Sequence, residues 1–140
     1  AELLPQANII TPNHYELSWL AGRDVGGQDD SSRAAGDLID RYGLKAVVTT
    51  GVTGDGRTGD LLVTADNGAH WQAARDAGKN VAGGGDLLTA LLAGMLNLGC
   101  QLPDAFKAAR HPAQAIIAAC PDGRDLARLE SLETVRALAR

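Results

Sequence analysis

Short apolar runs alternate with polar, glycine-rich stretches along the chain, and their periods separate strands from helices. Ala7 to Thr11 (ANIIT) is an apolar run stopped by Pro12, which predicts a buried strand ending in a loop. Asn13 then stands where a helix cap belongs, with Glu16 three residues later as in a capping box. Leu17, Leu20 and Ala21 give that helix its apolar face, and Gly22 closes it. A polar connection follows from Gly26 to Asp30. Ser31 or Ser32 is expected to start a second helix, with Ala35, Leu38 and Ile39 at helical spacing and Tyr42-Gly43 at its end. Lys45 to Thr50 (KAVVTT), rich in β-branched residues, predicts a second buried strand. Strand, helix, helix, strand is the order of a parallel crossover.

Gly51 to Gly59 holds glycines at 51, 54, 56 and 59 and reads as a loop. Leu61 to Ala65 and Ala69 to Ala73 flank Asp66-Asn67-Gly68, a hairpin signal. After a glycine-rich stretch from Lys79 to Gly85, a long helix is expected from Asp86 to about Asn97. Its core face is Leu87, Leu88, Leu91, Leu92, Met95 and Leu96, and Gly99 terminates it. Pro103 suits the first turn of a last helix carrying Ala105, Phe106, Ala109, Ile116 and Ile117, with a kink expected at Pro112. The tail from Asp122 to Arg140 is charged and weakly amphipathic. The pattern as a whole predicts an α/β fold with three layers, a mainly parallel sheet and an antiparallel hairpin at one side.

Composition narrows the functional classes. The 140 residues are 45% hydrophobic and 21% charged, ordinary for a globular protein with a real core. The net charge of −4 gives no electrostatic reason for nucleic-acid or membrane binding, and no apolar run is long enough to span a bilayer. Cys100 and Cys120 lack a zinc or redox spacing and are expected to be reduced thiols. His14, His70 and His111 form no ligand pattern and are expected at the surface or at edges. With no basic-plus-apolar leader, a cytoplasmic protein acting on a small molecule is expected.

Three segments carry candidate chemistry. Val81-Ala82-Gly83-Gly84-Gly85-Asp86 runs into an apolar helix. Glycines let a backbone approach a ligand closely, and the first N–H groups of a helix attract anions, phosphate above all. Asp86 at that mouth suits the deprotonation of a hydroxyl attacking a phosphoryl group, or alternatively serves only as a helix cap. The segment is neither a P-loop, since no Gly-Lys-Ser/Thr follows, nor a dinucleotide fingerprint. Asn13 and Glu16, at a strand's C-terminal end, suit a hydrated Mg²⁺ or, equally, a capping box; the two uses compete for the same side chains. Val47 to Gly51 ends a strand in the hydroxyls of Thr49 and Thr50, which can donate to phosphate oxygens or simply reflect β-propensity.

TPNxxEL, then a strand ending TTG, a hairpin, and GGGD opening a helix is an order that resembles the ribokinase-like kinases. TPNHYELSWLAG, LLVTADNGAHWQAARDAGKNVAGGGDLLTALLAGMLNLG and the Asp104 to Ala108 helix resemble bacterial pyridoxal kinases in particular. The similarity covers nearly the whole chain and corresponds to the C-terminal part of a single ribokinase-like kinase domain, residues 1–140. It implies ATP-dependent phosphorylation of pyridoxal, pyridoxine or pyridoxamine at the 5′-hydroxymethyl. Asp86 would be the general base, and Gly83, Gly84 and Gly85 the anion hole. Asn13 and Glu16 would serve Mg²⁺ and the ATP phosphates, and Thr11, Thr49 and Thr50 would contact ATP. Another superfamily kinase, acting on hydroxymethylpyrimidine or a sugar, and a catalytically inert nucleotide-binding remnant are the alternatives.

Two departures qualify the resemblance. The usual Asn-Gly-Thr-Gly-Asp reads Ala82-Gly83-Gly84-Gly85-Asp86, so Gly84 stands where a threonine would meet the nucleotide. Asn80 and Val81 replace the Asp-Thr of the other superfamily form, which removes the basis for a monovalent-cation site. Family members are also much longer, and the additional N-terminal half supplies most of the vitamin pocket. Without those strands a sheet edge is expected to be exposed, and a homodimer would cover part of it.

Overall fold

The computed structural model describes residues 3–66, 68–74 and 83–119. After a short 3-10 turn at Leu4–Gln6 come β1 (Ile9–Ile10), α1 (His14–Ala21), α2 (Gln28–Tyr42), β2 (Ala46–Gly54), β3 (Arg57–Thr64) and β4 (Ala69–Ala73). Then follow α3 (Gly84–Asn97) and α4 (Leu102–Ala119). The α/β class is as expected. The chain divides into two units, Ala1–Ala77 and Gly78–Arg140.

In the first unit the strands lie in the order β1-β2-β3-β4. β1 and β2 are parallel, as the crossover requires, while β2–β3 and β3–β4 are antiparallel. The antiparallel share of this sheet is therefore larger than the one hairpin expected. The reason lies at Asp55-Gly56, within the stretch expected to be a loop. Both residues have positive φ (49° and 70°), the conformation of a two-residue type I′ turn, which matches the twist of paired strands. β2 thus continues to Gly54 and folds directly back into β3. Glycines that suggested a loop are hairpin residues.

A bulge interrupts the β2–β3 register between Thr49 and Val52, where Gly51 has φ 75°. The extra residue shifts the inside–outside alternation by one, so Val52 rather than Gly51 returns to the face of Val47 and Thr49. That face, with Leu61 and Val63, packs against Leu17 of α1 and Ala34, Ala35, Leu38 and Ile39 of α2, and Trp71 of β4 covers its margin. Ala46, Val48 and Leu62 on the opposite face are buried too, so the sheet's middle is apolar on both sides.

Two boundaries move for local reasons. The expected strand from Ala7 to Thr11 shortens to Ile9–Ile10: the Ala7 N–H donates back to the Leu4 carbonyl (3.1 Å), and Pro12 has no N–H to give. α2 begins at Gln28, a turn before the serines expected to start it. Ser31 is buried inside the first turn, its N–H donating to the Gly27 carbonyl (2.9 Å). The first turn is held by Asp30, which accepts from the Gly26 N–H (2.9 Å) and from Arg23 Nη1 (3.0 Å). The acidic first turn also suits the positive end of the helix.

α1 and α3 both stop in Schellman motifs. Gly22 donates to Trp19 and Arg23 to Ser18 (both 3.2 Å). Gly99, with φ 87°, donates to Leu96 (3.0 Å) and Cys100 to Met95 (3.1 Å). In the second unit α3 packs along α4. Leu88 and Leu92 of the expected core face are buried, as are Phe106, Ala105, Ala109, Ala113 and Ile116 of α4. The Arg110 guanidinium lies 5.7 Å from the centre of the Phe106 ring. Pro112 sits inside α4, which continues to Ala119. Among the described residues no helix is long and apolar enough to cross a membrane.

The Arg23 guanidinium and the Gly26 N–H beside Asp30 hold its carboxyl at about 2, below its ordinary 3.8. A depressed carboxyl pKa contributes stability that is complete above the unfolded value and lost as pH falls toward the folded one. Asp30→Asn is therefore expected to lower Tm at neutral pH. The gap from the parent should close between about pH 4 and pH 2, the interval set by the two pKa values. Thermal unfolding of both proteins across that range checks it; a gap that does not change with pH contradicts it.

Candidate functional site

The first cluster is built where β1 gives way to α1. Pro12 ends the strand, but its carbonyl still accepts from the Thr50 N–H (3.2 Å), so Asn13 and Thr50 remain bridged in parallel. Thr11, Asn13, Glu16 and Thr50 are thereby gathered at the C-terminal ends of the parallel pair, the side on which open α/β sheets bind ligands. The capping box is formed in full. Asn13 Oδ1 accepts from the Glu16 N–H and Glu16 Oε2 accepts from the Asn13 N–H, both at 2.8 Å. Each side chain gives one oxygen to the box, and both residues are exposed.

Thr49 and Thr50 point to opposite faces of β2. Thr50 is half-buried, whereas Thr49 is fully buried beside its cross-strand partner Leu61, and its hydroxyl has no hydrogen-bond partner. An unpaired hydroxyl inside a core is costly and uncommon. Thr49 therefore lies inside the sheet, while Thr11 and Thr50, both half-buried, remain at its end.

The second cluster is the start of α3, in the other unit. Gly83 is the cap residue, in the left-handed conformation (φ 85°, ψ 0°), and among the described residues no side chain caps the helix. Its carbonyl accepts from the Leu87 N–H (2.9 Å), which leaves the N–H groups of Gly84, Gly85 and Asp86 as the outward donors of the first turn. The alternative use of Asp86 as the cap is thus corrected: it stands at the third helical position, exposed, and Gly83 takes the capping place.

Among the described residues no group of three or more His, Cys, Asp or Glu side chains gathers as a metal site. An open depression of about 410 Å³ beside the β2–β3 turn, lined by Gly27, Asp30, Arg33, Thr53 and Asp55, contains none of the expected site residues. His14 does more than sit at the surface: its Nε2 donates to the Gly26 carbonyl (2.7 Å) and ties the start of α1 to the α1–α2 loop. No sequence signal marks that contact, because its partner is a main-chain atom. Cys100 is a free thiol. Asn67, Asn80, Val81, Cys120 and the tail lie outside the described residues.

The family model for phosphomethylpyrimidine kinase matches residues 1–126. The chain belongs to this family. It is 36% identical over 132 residues to a pyridoxine/pyridoxal/pyridoxamine kinase of Bordetella avium, covering 91% of this chain and 43% of that protein. It is 33% identical over 120 residues to a hydroxymethylpyrimidine/phosphomethylpyrimidine kinase of Rhizobium meliloti, covering 84% and 45%. The chain thus spans less than half the length of these relatives. Among solved structures, pyridoxal kinase of Entamoeba histolytica with PLP matches at TM-score 0.82 and 24% identity, covering 98% of this chain and 49% of that one. An ADP complex of Bacillus subtilis pyridoxal kinase matches at TM-score 0.70 and 28% identity, covering 84% and 46%. The fold is that of the ribokinase-like kinases over about half their length.

Proposed function

We propose that this chain is the C-terminal part of a ribokinase-like kinase domain that phosphorylates pyridoxal and its congeners at the 5′-hydroxymethyl, using ATP. The observation that carries the reading is the start of α3, where no side chain among the described residues caps the helix: three outward N–H groups with an exposed carboxylate in the same turn. The kinship to a pyridoxine/pyridoxal/pyridoxamine kinase across 91% of the chain supports the choice of acceptor. Hydroxymethylpyrimidine is the second reading, favoured by the family model and by the Rhizobium relative. Both acceptors present a primary alcohol on an aromatic ring, so the chemistry asked of this chain is the same.

In that chemistry the Asp86 carboxylate takes the proton of the hydroxymethyl group as its oxygen bonds to the γ-phosphorus. The bond from that phosphorus to the β–γ bridging oxygen breaks, and ADP leaves. The N–H groups of Gly84, Gly85 and Asp86 meet the charge on the phosphoryl in transfer. Thr11 and Thr50 contact the nucleotide, and Thr49 supports them from inside the sheet. Glu16 serves Mg²⁺ through Oε1, which the capping box leaves over, and Asn13 through the second lone pair of the Oδ1 that accepts from the Glu16 N–H. Two oxygen-bearing side chains suit an ion that keeps most of its waters. When bound, the metal neutralises charge on the phosphates.

Asp86→Asn in the protein as its gene encodes it is expected to cut kcat by at least about a hundredfold, the scale of general-base loss, and to leave ATP affinity almost unchanged. Near-normal turnover would remove Asp86 from the mechanism.

Glu16→Gln preserves a side-chain oxygen for the Asn13 N–H, so stability should fall by no more than about 1 kcal/mol. The Mg²⁺ concentration for half-maximal activity should nevertheless rise. A change in Tm with an unaltered Mg²⁺ titration would mean that Glu16 serves the cap alone.

A further inference from the structure

Of the glycines that open α3, Gly83 has a conformational reason in its positive φ. Gly84 has none: it is the first helical residue, its φ lies outside the left-handed region, and alanine ordinarily forms helix more readily than glycine. What it has is a neighbour. A Cβ built on Gly84 would stand 3.2 Å from Ile117 Cδ1 and 3.8 Å from Ile117 Cγ1. The first distance is too short to be comfortable and the second is ordinary van der Waals contact. Ile117 follows directly on the buried Ile116, and Ala113, one turn earlier on α4, is also buried. Ile117 itself is half-buried, and a Cβ at position 84 would require its δ-methyl to give way by a few tenths of an ångström.

We propose that Ile117 is a positioning residue for the phosphoryl-binding turn at Gly83–Gly85. Its δ-methyl stands where a side chain at position 84 would begin and braces the first turn of α3 from the α4 side. The N–H groups at 84 to 86 are thereby held in one direction, and recognition at position 84 is by main chain alone. This inference rests on the kinase reading above.

The test is a double-mutant cycle in the protein as its gene encodes it, with Gly84→Ala, Ile117→Val and the two combined. Valine lacks Cδ1, so it removes the 3.2 Å contact and keeps the rest of the packing. Turnover is measured well below the unfolding midpoint of each variant. Gly84→Ala should lower kcat/KM for ATP about tenfold, with most of the loss in kcat, because the turn meets the phosphoryl in transfer. Ile117→Val alone, which removes the brace, should lower kcat several-fold, and the double variant, in which the alanine methyl takes the vacated space, should recover most of the Gly84→Ala loss. If Gly84→Ala does not fold, the double variant decides: recovery of folding and turnover supports the inference, and failure overturns it. An equal loss from Gly84→Ala in both backgrounds, or no loss in either, also overturns it while leaving an active kinase and the kinase reading intact. A parent protein that turns over no ATP ends the kinase reading, and the role of Ile117 with it.

Discussion

The parallel pairing of β1 with β2 is the constraint on which the first unit depends. It is short, two ladder residues and then the bond from the Thr50 N–H to the Pro12 carbonyl. Parallel neighbours cannot be joined by a tight turn, so the chain between them must cross over, and α1 and α2 are that crossover. Their apolar residues close the core over Val47, Val52, Leu61 and Val63. The same pairing holds Asn13 beside Thr50, which brings two segments separated in sequence to one sheet end. A ladder this short is secured by what flanks it: the capping box at Asn13 and Glu16, the His14 bond to Gly26, and the Asp30 bonds that start α2.

The features legible in the sequence are those whose causes are local. The capping box, the glycine stops at 22, 43 and 99, the second hairpin and the place of Pro103 each follow from neighbours a few residues apart. The errors have the same origin. Glycine density between 51 and 59 suggested a loop because composition does not distinguish a glycine that frees a loop from one that makes a type I′ turn. α2 starts before its serines because the group that organises it is the Asp30 carboxylate, reaching back to Gly26 and Arg23, rather than a serine hydroxyl. The burial of Thr49 with an unpaired hydroxyl, and the approach of Ile117 to Gly84, depend on packing between elements, which no spacing encodes.

At both clusters, the structural duties and the chemical ones proposed fall on the same few atoms, and they are divided differently. Asn13 commits its one side-chain oxygen to the helix cap, whereas Glu16 commits Oε2 and keeps Oε1. At α3 the division is cleaner: Gly83 closes the helix with its backbone, and the Asp86 carboxylate stays free of that task. A helix end capped by a side chain has spent a donor that a ligand would otherwise use. One left to glycine has not, provided that packing fixes its direction.

The central claim is that this family member transfers the γ-phosphoryl of ATP to a hydroxymethyl group. The most direct measurement is ADP release by the protein as its gene encodes it, with saturating Mg·ATP and either pyridoxal or hydroxymethylpyrimidine as acceptor. The account predicts ADP formed one-for-one with pyridoxal 5′-phosphate. Release with hydroxymethylpyrimidine alone would contradict the choice of acceptor, and release with neither would contradict the account itself.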